Sequence, residues 1–420
     1  MAIDDGDAVK RLGPETVYVA AWIFPISRPP INGGYLRVVD EQVVEIGALR
    51  NQNFPRQDVI DLGEVAVMPR MVNAHTHLEF SDCRSPIGQP GISLAEWIGK
   101  VIAARGVASE DQRNARIRDG IAESAGSGVG LIGDIATPPS QYPSDTDTTI
   151  VSFAEVLGLS DVRAGERLES AEKHAVTVAE NPSVEFAVSP HAPYSTPPEL
   201  VGRCVELAVQ TGAPLAMHVA ESPDERELLR FGSGRFAEVL RGAGLWPKGV
   251  FPWQGDQPVS DLIDAIADAP RVLLVHGNDL QDDEIERIAR HPHLSVVYCP
   301  RTHAFFGYDA HPVQTLLDAG VRVALGTDSR ASNPDLSVWK EVQFLLHQRP
   351  DLDPHDVLEM ATMSGADALL GAGSRSGRIE AGKTRVGSLV SIPTTAQRLD
   401  AVWRDFVSAD LSCIGVQRRA

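Results

Sequence analysis

The sequence predicts an α/β protein, namely a (β/α)8 barrel of the TIM type with a small β-sandwich domain formed by both chain termini. Between residues 67 and 377, eight short apolar segments alternate with amphipathic stretches, which is the pattern of repeated strand–helix units with a parallel sheet. The residues before and after this region lack the alternation and contain β-type segments. A doubly wound sheet is the competing fold, but no G-x-G-x-x-G follows any of the eight segments.

The terminal regions are predicted to form one composite domain because both are β-rich and neither has a helical period. The strands predicted there lie at 16–26, 35–39, 43–46, 388–392 and 401–406. We therefore expect residues 1–66 and 378–420 to form the β-sandwich and residues 67–377 to form the barrel. A chain of 420 residues is long enough for such a barrel with one appendage.

The barrel elements follow from hydrophobic periodicity. The eight predicted strands lie at 67–72, 129–136, 150–156, 184–190, 213–219, 272–276, 294–299 and 321–327. Helical stretches between them include 93–105, 197–211, 224–241, 282–290 and 313–319. The helix after each strand is what a barrel of this type requires.

Composition excludes several functional classes. The formal net charge is −19, which opposes binding to nucleic acid and to anionic membrane surfaces. The four cysteines are far apart and form no C-x-x-C, so neither a disulfide framework nor a thiolate zinc site is indicated. No apolar segment resembles a signal peptide or reaches transmembrane length. We expect a cytoplasmic protein that acts on a small molecule.

Ionisable side chains are concentrated at the predicted strand ends, where barrels of this type carry their chemistry. The first strand leads into His75-Thr76-His77, and residues i and i+2 of an extended segment point to the same side. The other strand-end residues are His191 after the fourth strand, His218 and Glu221 after the fifth, His276 after the sixth and Asp328 after the eighth. Such a set of imidazoles and carboxylates indicates a hydrolytic metal site.

Several motifs resemble those of the amidohydrolase superfamily, specifically the branch that holds nucleobase and nucleoside deaminases, triazine hydrolases and chlorohydrolases. The motifs are V-N-A-H-T-H-L-E at 72–79, S-P-H-A-P-Y at 189–194, H-V-A-E at 218–221, H-G at 276–277, C-P-R-T-H-A-F-F-G at 299–307 and G-T-D-S-R-A-S-N at 326–333. The resemblance implies one divalent metal ion, zinc or iron, bound by His75, His77, His218 and Asp328. Glu221 and His276 would handle protons. No lysine stands at the end of the fourth strand, which favours one metal ion over two.

The chemistry of the ligands agrees with this expectation. Nitrogen and carboxylate donors suit zinc or ferrous iron better than magnesium or calcium. A bound divalent ion lowers the pKa of its water from about 16 to roughly 7. Asp328 would then accept the water proton, His276 would orient the attacking oxygen, and Glu221 would protonate the ring nitrogen and the leaving group. We therefore expect hydrolytic deamination.

Substrate contacts are expected from four further residues. The resemblance to adenosine-type deaminases points to Glu96, which precedes a tryptophan, and to His191. Arg301 and His303 follow the seventh strand, and they could bind a substrate carboxylate or the edge of a base. Arg330 is a further possibility. These cations fit an adenine-type nucleoside with an acidic tail, such as aminodeoxyfutalosine or S-adenosylhomocysteine. Methylthioadenosine also remains open.

Two alternatives stand beside this expectation. The same site could hydrolyse a cyclic amide, a guanine-type base or a triazine; Glu221 favours deamination because the leaving group needs a proton. A catalytically silent scaffold or metal-binding protein is the other alternative, and the presence of every expected ligand opposes it. Dimers are common in this branch, so the resemblance also admits a homodimer.

Overall fold

The structure is a computed structural model that describes residues 15–50, 52–105, 108–247 and 249–414. Its backbone divides into two compact units, one from residues up to 69 together with those from 378 onward, and one from residues 70–377. The strands are β1 Glu15–Ile23, β2 Ile31–Val39, β3 Gln42–Ala48, β4 Val59–Asp61, β5 Val65–Pro69, β6 Met71–Thr76, β7 Val129–Ala136, β8 Thr149–Val156, β9 Val184–Pro190, β10 Leu215–Val219, β11 Val272–His276, β12 Leu294–Tyr298, β13 Arg322–Leu325, β14 Leu389–Pro393 and β15 Ser412–Cys413.

Helices separate most of the strands from β6 onward. They are α1 Leu94–Arg105, α2 Glu110–Gly126, α3 Asp161–Val178, α4 Pro198–Thr211, α5 Pro223–Phe231, α6 Gly234–Gly242, α7 Pro258–Ile266, α8 Asp282–Ala289, α9 Pro300–Phe306, α10 Val313–Asp318, α11 Val338–Gln348, α12 Pro354–Met360, α13 Met363–Leu370 and α14 Leu399–Phe406. None of the helices in the described part of the chain is long and apolar enough to span a membrane.

The larger unit is the predicted eight-stranded barrel. Strands β6 to β13 pair in chain order as one parallel sheet. The N–H groups of Thr327 and Asp328 both donate to the carbonyl of His75 at 3.1 Å, which joins the chain beyond the last strand to the first strand. The barrel prediction is therefore confirmed. Its strands are buried along almost their whole length, as parallel strands covered by helices are.

The smaller unit is a mixed sheet built from both ends of the chain, as the sequence predicted. Its strand order is β15-β14-β5-β1-β2-β3, with β4 also paired to β1. β14 runs antiparallel to β5, with Val390 opposite Met68. The side chains on one face of β1 and β2, such as Tyr18, Ala20, Leu36 and Val38, are buried at every second residue, which is the period of a strand with one face in a core.

The segment 401–406 was predicted as a strand, and this is wrong. It lies in the helix α14, whose buried residues are Val402 and Phe406. Residues four apart lie on the same face of a helix, and the Phe406 ring packs against Phe24 at 5.4 Å between centroids. The run is too short for its apolar residues to distinguish the two periods.

Two other predicted elements are each divided in two. The apolar run 67–72 belongs to β5 of the terminal sheet and to β6 of the barrel, with Arg70 between them; hydropathy hides the change because Met68 and Met71 are equally buried. The predicted helix 224–241 is α5 followed by α6. Gly232 ends α5 in the left-handed region, with φ of 62°, where glycine pays no steric cost.

Candidate active site

Five side chains from the carboxyl ends of four barrel strands converge on one point. His75 lies in β6 and His77 directly follows this strand, His218 lies in β10, His276 ends β11, and Asp328 follows β13. One ligand atom each of His75, His218 and His276 lie within 4.8 Å of one another, and the same holds for His75, His77 and Asp328. The structure thus brings together residues that are up to 253 positions apart (328 − 75).

Asp328 is oriented by its neighbours. Its Oδ1 lies 3.7 Å from His75 Nε2 and 3.6 Å from His77 Nε2. Its Oδ2 accepts a hydrogen bond from Ser332 Oγ at 2.8 Å, and its backbone carbonyl accepts one from Thr76 Oγ1 at 2.8 Å. Asp328 has a φ of 55°, a conformation that few non-glycine residues adopt and that is enriched at functional sites.

The imidazole of His75 supplies the test of whether a cation fits here. His75 is 1% exposed, yet neither of its ring nitrogens has a hydrogen-bond partner in the described chain. Buried polar groups are almost always paired, so a metal ion at Nε2 would satisfy a group that the protein leaves open. Gly326 permits this packing, because a Cβ atom there would lie 2.8 Å from the His75 carbonyl oxygen. The donor set therefore fits a metal ion.

The histidines are held in the form that binds metals. Burial lowers the pKa of His218 to about 4, and burial also lowers the pKa of His75 and that of His77 well below the ordinary value. All three are therefore neutral near pH 7. His218 Nδ1 donates to the carbonyl of His191 at 2.7 Å, which leaves its Nε2 free of the proton and able to bind a metal ion.

Glu221 and His276 form a buried pair beside these donors. Glu221 Oε1 lies 3.4 Å from His276 Nε2, and the two residues are 4% and 2% exposed. Burial first, and the nearby carboxylate of Asp328 second, raise the pKa of Glu221 well above its usual range. Burial lowers the pKa of His276 well below its usual value. Burial therefore favours the protonated carboxyl group of Glu221 and the neutral imidazole of His276.

His191 lies at the margin of this cluster. Its ring is 5.1 Å from that of His218, and its Nδ1 lies 2.6 Å from Ser195 Oγ. Its Nε2 is 3.9 Å from Oε1 of Glu155. Glu155 was missed in the sequence analysis, although a glutamate near the carboxyl end of an otherwise apolar strand could have pointed to it.

Asp134 was also missed. It lies in β7, and it accepts hydrogen bonds from the N–H of Leu78 at 2.9 Å and from Tyr142 Oη at 2.7 Å. It thus supports the chain immediately after His77. Burial raises the pKa of Asp134 to about 7.

The cations expected to bind a substrate carboxylate have internal partners instead. Arg301 donates to Glu341, to both carboxylate oxygens of Asp335 and to the Ser337 carbonyl, so four of its five N–H groups are used. His303 Nε2 donates to the Asp309 carbonyl at 2.9 Å. These bonds occupy most donors of Arg301 and one ring nitrogen of His303, so a substrate contact through either residue stays a prediction that these internal partners do not favour.

The other candidate substrate contacts, Arg330 and Glu96, also have partners within the fold. Arg330 donates to the Cys83 carbonyl and to Glu123, both at 2.7 Å. Glu96 lies on α1, and its exposed carboxylate is 3.4 Å from Lys100 Nζ. The tryptophan beside it, Trp97, donates through Nε1 to the Ala331 carbonyl at 3.2 Å. The structure thus places α1 against the chain that follows Asp328.

A cavity of about 430 Å³ lies against the chain that follows His77. Phe80 lines it, and the Phe80 ring lies 6.2 Å from the His77 ring. Its charged lining residues are Glu79, Asp82, Arg113, Arg116 and Arg167. Arg116 pairs with Asp82 at 2.8 Å, whereas the guanidinium groups of Arg113 and Arg167 have no hydrogen-bond or ion-pair partner among the described residues. Guanidinium groups in such a cavity can bind an anionic group.

Comparison with known proteins agrees with the geometry. The profile described as "Amidohydrolase family" matches residues 66–385. Aminodeoxyfutalosine deaminase of Deinococcus radiodurans is 32% identical over 358 residues, which cover 80% of this chain and 81% of that protein. 5-Methylthioadenosine/S-adenosylhomocysteine deaminase of Nitratidesulfovibrio vulgaris is 29% identical, with coverage of 81% and 76%.

A solved structure shares the fold. Helicobacter pylori aminofutalosine deaminase in complex with methylthio-coformycin superposes with a TM-score of 0.82 and 24% identity, covering 94% of this chain and 97% of that one. The family profile covers most of the chain, including every residue of the convergent cluster. This protein belongs to the amidohydrolase family.

Proposed function

We propose that this protein is a metal-dependent aminohydrolase that deaminates an adenine-type nucleoside. The observation that carries the proposal is the buried pair of Glu221 and His276, 3.4 Å apart, at the edge of a convergent set of metal donors. Deamination needs an activated water and, close to it, a group that gives protons to nitrogen. Glu221, paired with His276, would be that group. The names of the relatives support the same class of reaction.

The metal ion would be held by His75, His77, His218 and Asp328. Three imidazoles with one carboxylate suit zinc, with ferrous iron as the alternative, and we propose zinc. When bound, the ion would supply a water molecule that is acidic enough to react near neutral pH. The two ring nitrogens of His75, which have no hydrogen-bond partner among the described residues, support a ligand at this position.

The protein's own groups would move the protons. Asp328 would accept a proton from the attacking water, since its Oδ1 faces the histidines while Ser332 holds its Oδ2. Glu221 would donate its proton to the ring nitrogen next to the amino-bearing carbon as the C–O bond forms. Asp328 would then pass the water proton to the amino group. As the C–N bond breaks and ammonia leaves, the hydroxyl oxygen would give its remaining proton back to Glu221 and become the product carbonyl. His276 would orient the attacking oxygen through Nε2.

We further propose that the preferred nucleosides carry an acidic tail. The cavity lined by Phe80 also contains Arg113 and Arg167, whose guanidinium groups have no hydrogen-bond or ion-pair partner among the described residues. A tail extending from the ribose would bring a carboxylate to them. Aminodeoxyfutalosine and S-adenosylhomocysteine carry such a group, whereas methylthioadenosine does not. This assignment replaces the one based on Arg301 and His303.

Hydrolysis of a triazine, cyclic amide or guanine-type base is the alternative on the same site. The discriminating experiment measures ammonia release by zinc-loaded protein from adenosine, methylthioadenosine, S-adenosylhomocysteine and aminodeoxyfutalosine, with a chlorotriazine, a cyclic amide and guanine as further substrates. We expect release from the adenine nucleosides, fastest from those with a carboxylate. Turnover of triazines or cyclic amides alone would reject the proposal. A complete lack of product with the metal bound would favour a silent metal-binding protein.

A further inference from the structure

The turn between β10 and α5, which carries Glu221, has a backbone conformation that few residues adopt. Ala220 has a φ of 50°, and a residue with a Cβ atom is strained in this left-handed region unless its surroundings compensate. The turn lies between His218 and Glu221, so its backbone determines where the carboxyl group of Glu221 points. Some part of the protein must therefore hold this turn.

The holding group is the side chain of Glu225, in the first turn of α5. Its Oε1 accepts a hydrogen bond from the N–H of Ala220 at 2.8 Å, and its Oε2 accepts one from the N–H of Glu221 at 3.3 Å. Glu225 is fully buried. Its two carboxylate oxygens thus bind the two consecutive N–H groups that precede and include the proposed proton donor.

The carbonyl groups of the same turn are held from the strand that carries His276. The Ala220 carbonyl accepts from the N–H of Asp279 at 2.8 Å, and the Glu221 carbonyl accepts from Asn278 Nδ2 at 3.0 Å. Asn278 and Asp279 follow His276 closely in the chain. The turn is thus fixed on one side by Glu225 and on the other by the segment after β11.

We propose that Glu225 is a positioning residue that sets the approach of Glu221 to His276 without touching the substrate. Only a carboxylate can do this, because both of its oxygens must accept from N–H groups. A glutamine has one acceptor oxygen, and its NH2 group would face a backbone N–H. Burying a glutamate side chain is costly unless it is hydrogen-bonded. No cationic side chain among the described residues hydrogen-bonds to Glu225, so the two backbone N–H groups compensate for its burial.

The inference rests on the proposed deaminase function, so the experiment first requires ammonia release by the zinc-loaded wild-type protein. If the wild-type protein releases no ammonia, the proposed function is wrong. If the wild type is active and the variants behave like it, the role given to Glu225 is wrong. The variants are Glu225→Gln, Glu225→Asp and, as a matched control on the same helix, Leu229→Val. Leu229 is fully buried but makes no hydrogen bond to the turn through its side chain.

For each variant we measure zinc content, KM and kcat. We also measure hydrogen exchange of the peptide spanning 219–222. For Glu225→Gln we expect full zinc content, KM within about threefold of wild type, faster exchange and a kcat lower by on the order of tenfold to a hundredfold, as for a misplaced catalytic group. Glu225→Asp should recover part of kcat, because it restores two acceptor oxygens. Leu229→Val should lower thermal stability while kcat stays near that of wild type.

Two outcomes would overturn the assignment. The first is a Glu225→Gln protein with wild-type kcat and unchanged exchange, which would show that the turn holds its shape unaided. The second is a general loss of structure, seen either as an equal fall of kcat in Glu225→Gln and Leu229→Val or as loss of zinc from Glu225→Gln. Either result would make Glu225 a general structural residue.

Discussion

Asp328 contacts His75 twice, through its backbone and through its side chain. Its N–H donates to the His75 carbonyl at 3.1 Å, and its Oδ1 lies 3.7 Å from His75 Nε2. The bond that joins the last strand region to the first thus also sets the distance between two proposed metal ligands. Closure of the barrel and the placement of these two residues therefore depend on the same hydrogen bond.

The first prediction concerns this residue. Asp328→Asn should retain the backbone bond and the fold, but it removes the charge that would bind the metal ion and accept the water proton. We expect kcat to fall by about 10²–10⁴-fold and zinc affinity to fall as well. Equilibrium dialysis against zinc with mass-spectrometric metal analysis, together with ammonia release, checks both. Thr76→Val, which removes the hydrogen bond to the Asp328 carbonyl, is the control and should have a much smaller effect. Unchanged zinc affinity in Asp328→Asn would contradict the ligand assignment.

The second prediction separates proton transfer from metal binding. Glu221→Gln keeps the size of the side chain but cannot donate a carboxyl proton, so kcat should fall about 10²–10⁴-fold while zinc content stays at the wild-type level. Ammonia release and metal analysis of the same preparation test it. His218→Gln is the matched comparison, since it should lose zinc. If zinc leaves Glu221→Gln as well, Glu221 has been given the wrong role.

The third prediction concerns His174, a buried residue on α3 whose Nε2 lies 2.8 Å from Ser152 Oγ. Burial lowers the pKa of His174 from 6.5 to about 4. A neutral histidine with a lowered pKa stabilises the fold fully above the unfolded pKa, and this contribution is lost as the pH falls toward the folded value. Between pH 7 and pH 5 the loss is about 2 kcal/mol.

Denaturant titrations of wild type and His174→Gln at these two pH values test it. The wild-type free energy of unfolding should fall by about 2 kcal/mol more than that of the variant. Because the other buried histidines are common to both proteins, their titration cancels in the comparison. Parallel loss of stability in both proteins would mean that His174 is not the residue responsible.

The convergent cluster could be predicted from sequence because barrel geometry constrains it. Parallel strands end at the same face, so His75, His218 and His276 had to lie near one another once each was placed at a strand end. The cavity could not be predicted in this way. Arg113 lies on α2 and Arg167 on α3, and hydropathy does not show which helical arginine pairs with a carboxylate and which faces an open space.

The same limit applies to Arg301. Its position after a strand suggested a substrate contact, but its partners Asp335 and Glu341 lie more than thirty residues away. Sequence position gives the location of a charge relative to the barrel, whereas the partners of that charge depend on tertiary packing. Glu225 was missed for a related reason, since a glutamate in the first turn of a helix is ordinarily explained by the helix dipole.

The fourth prediction tests the arginine-lined cavity. Arg113→Ala and Arg167→Ala should each raise KM for S-adenosylhomocysteine about tenfold, the value of one charge-assisted hydrogen bond, and should leave KM for methylthioadenosine nearly unchanged because it has no carboxylate. Steady-state ammonia release with both substrates measures the difference. Arg163→Ala is the matched control, since Arg163 is an exposed arginine one turn before Arg167 on α3 and is absent from the lining of this cavity. Equal effects on both substrates would mean that the cavity does not distinguish the tails, and the acidic-tail preference would then have to be abandoned while the deaminase assignment stands.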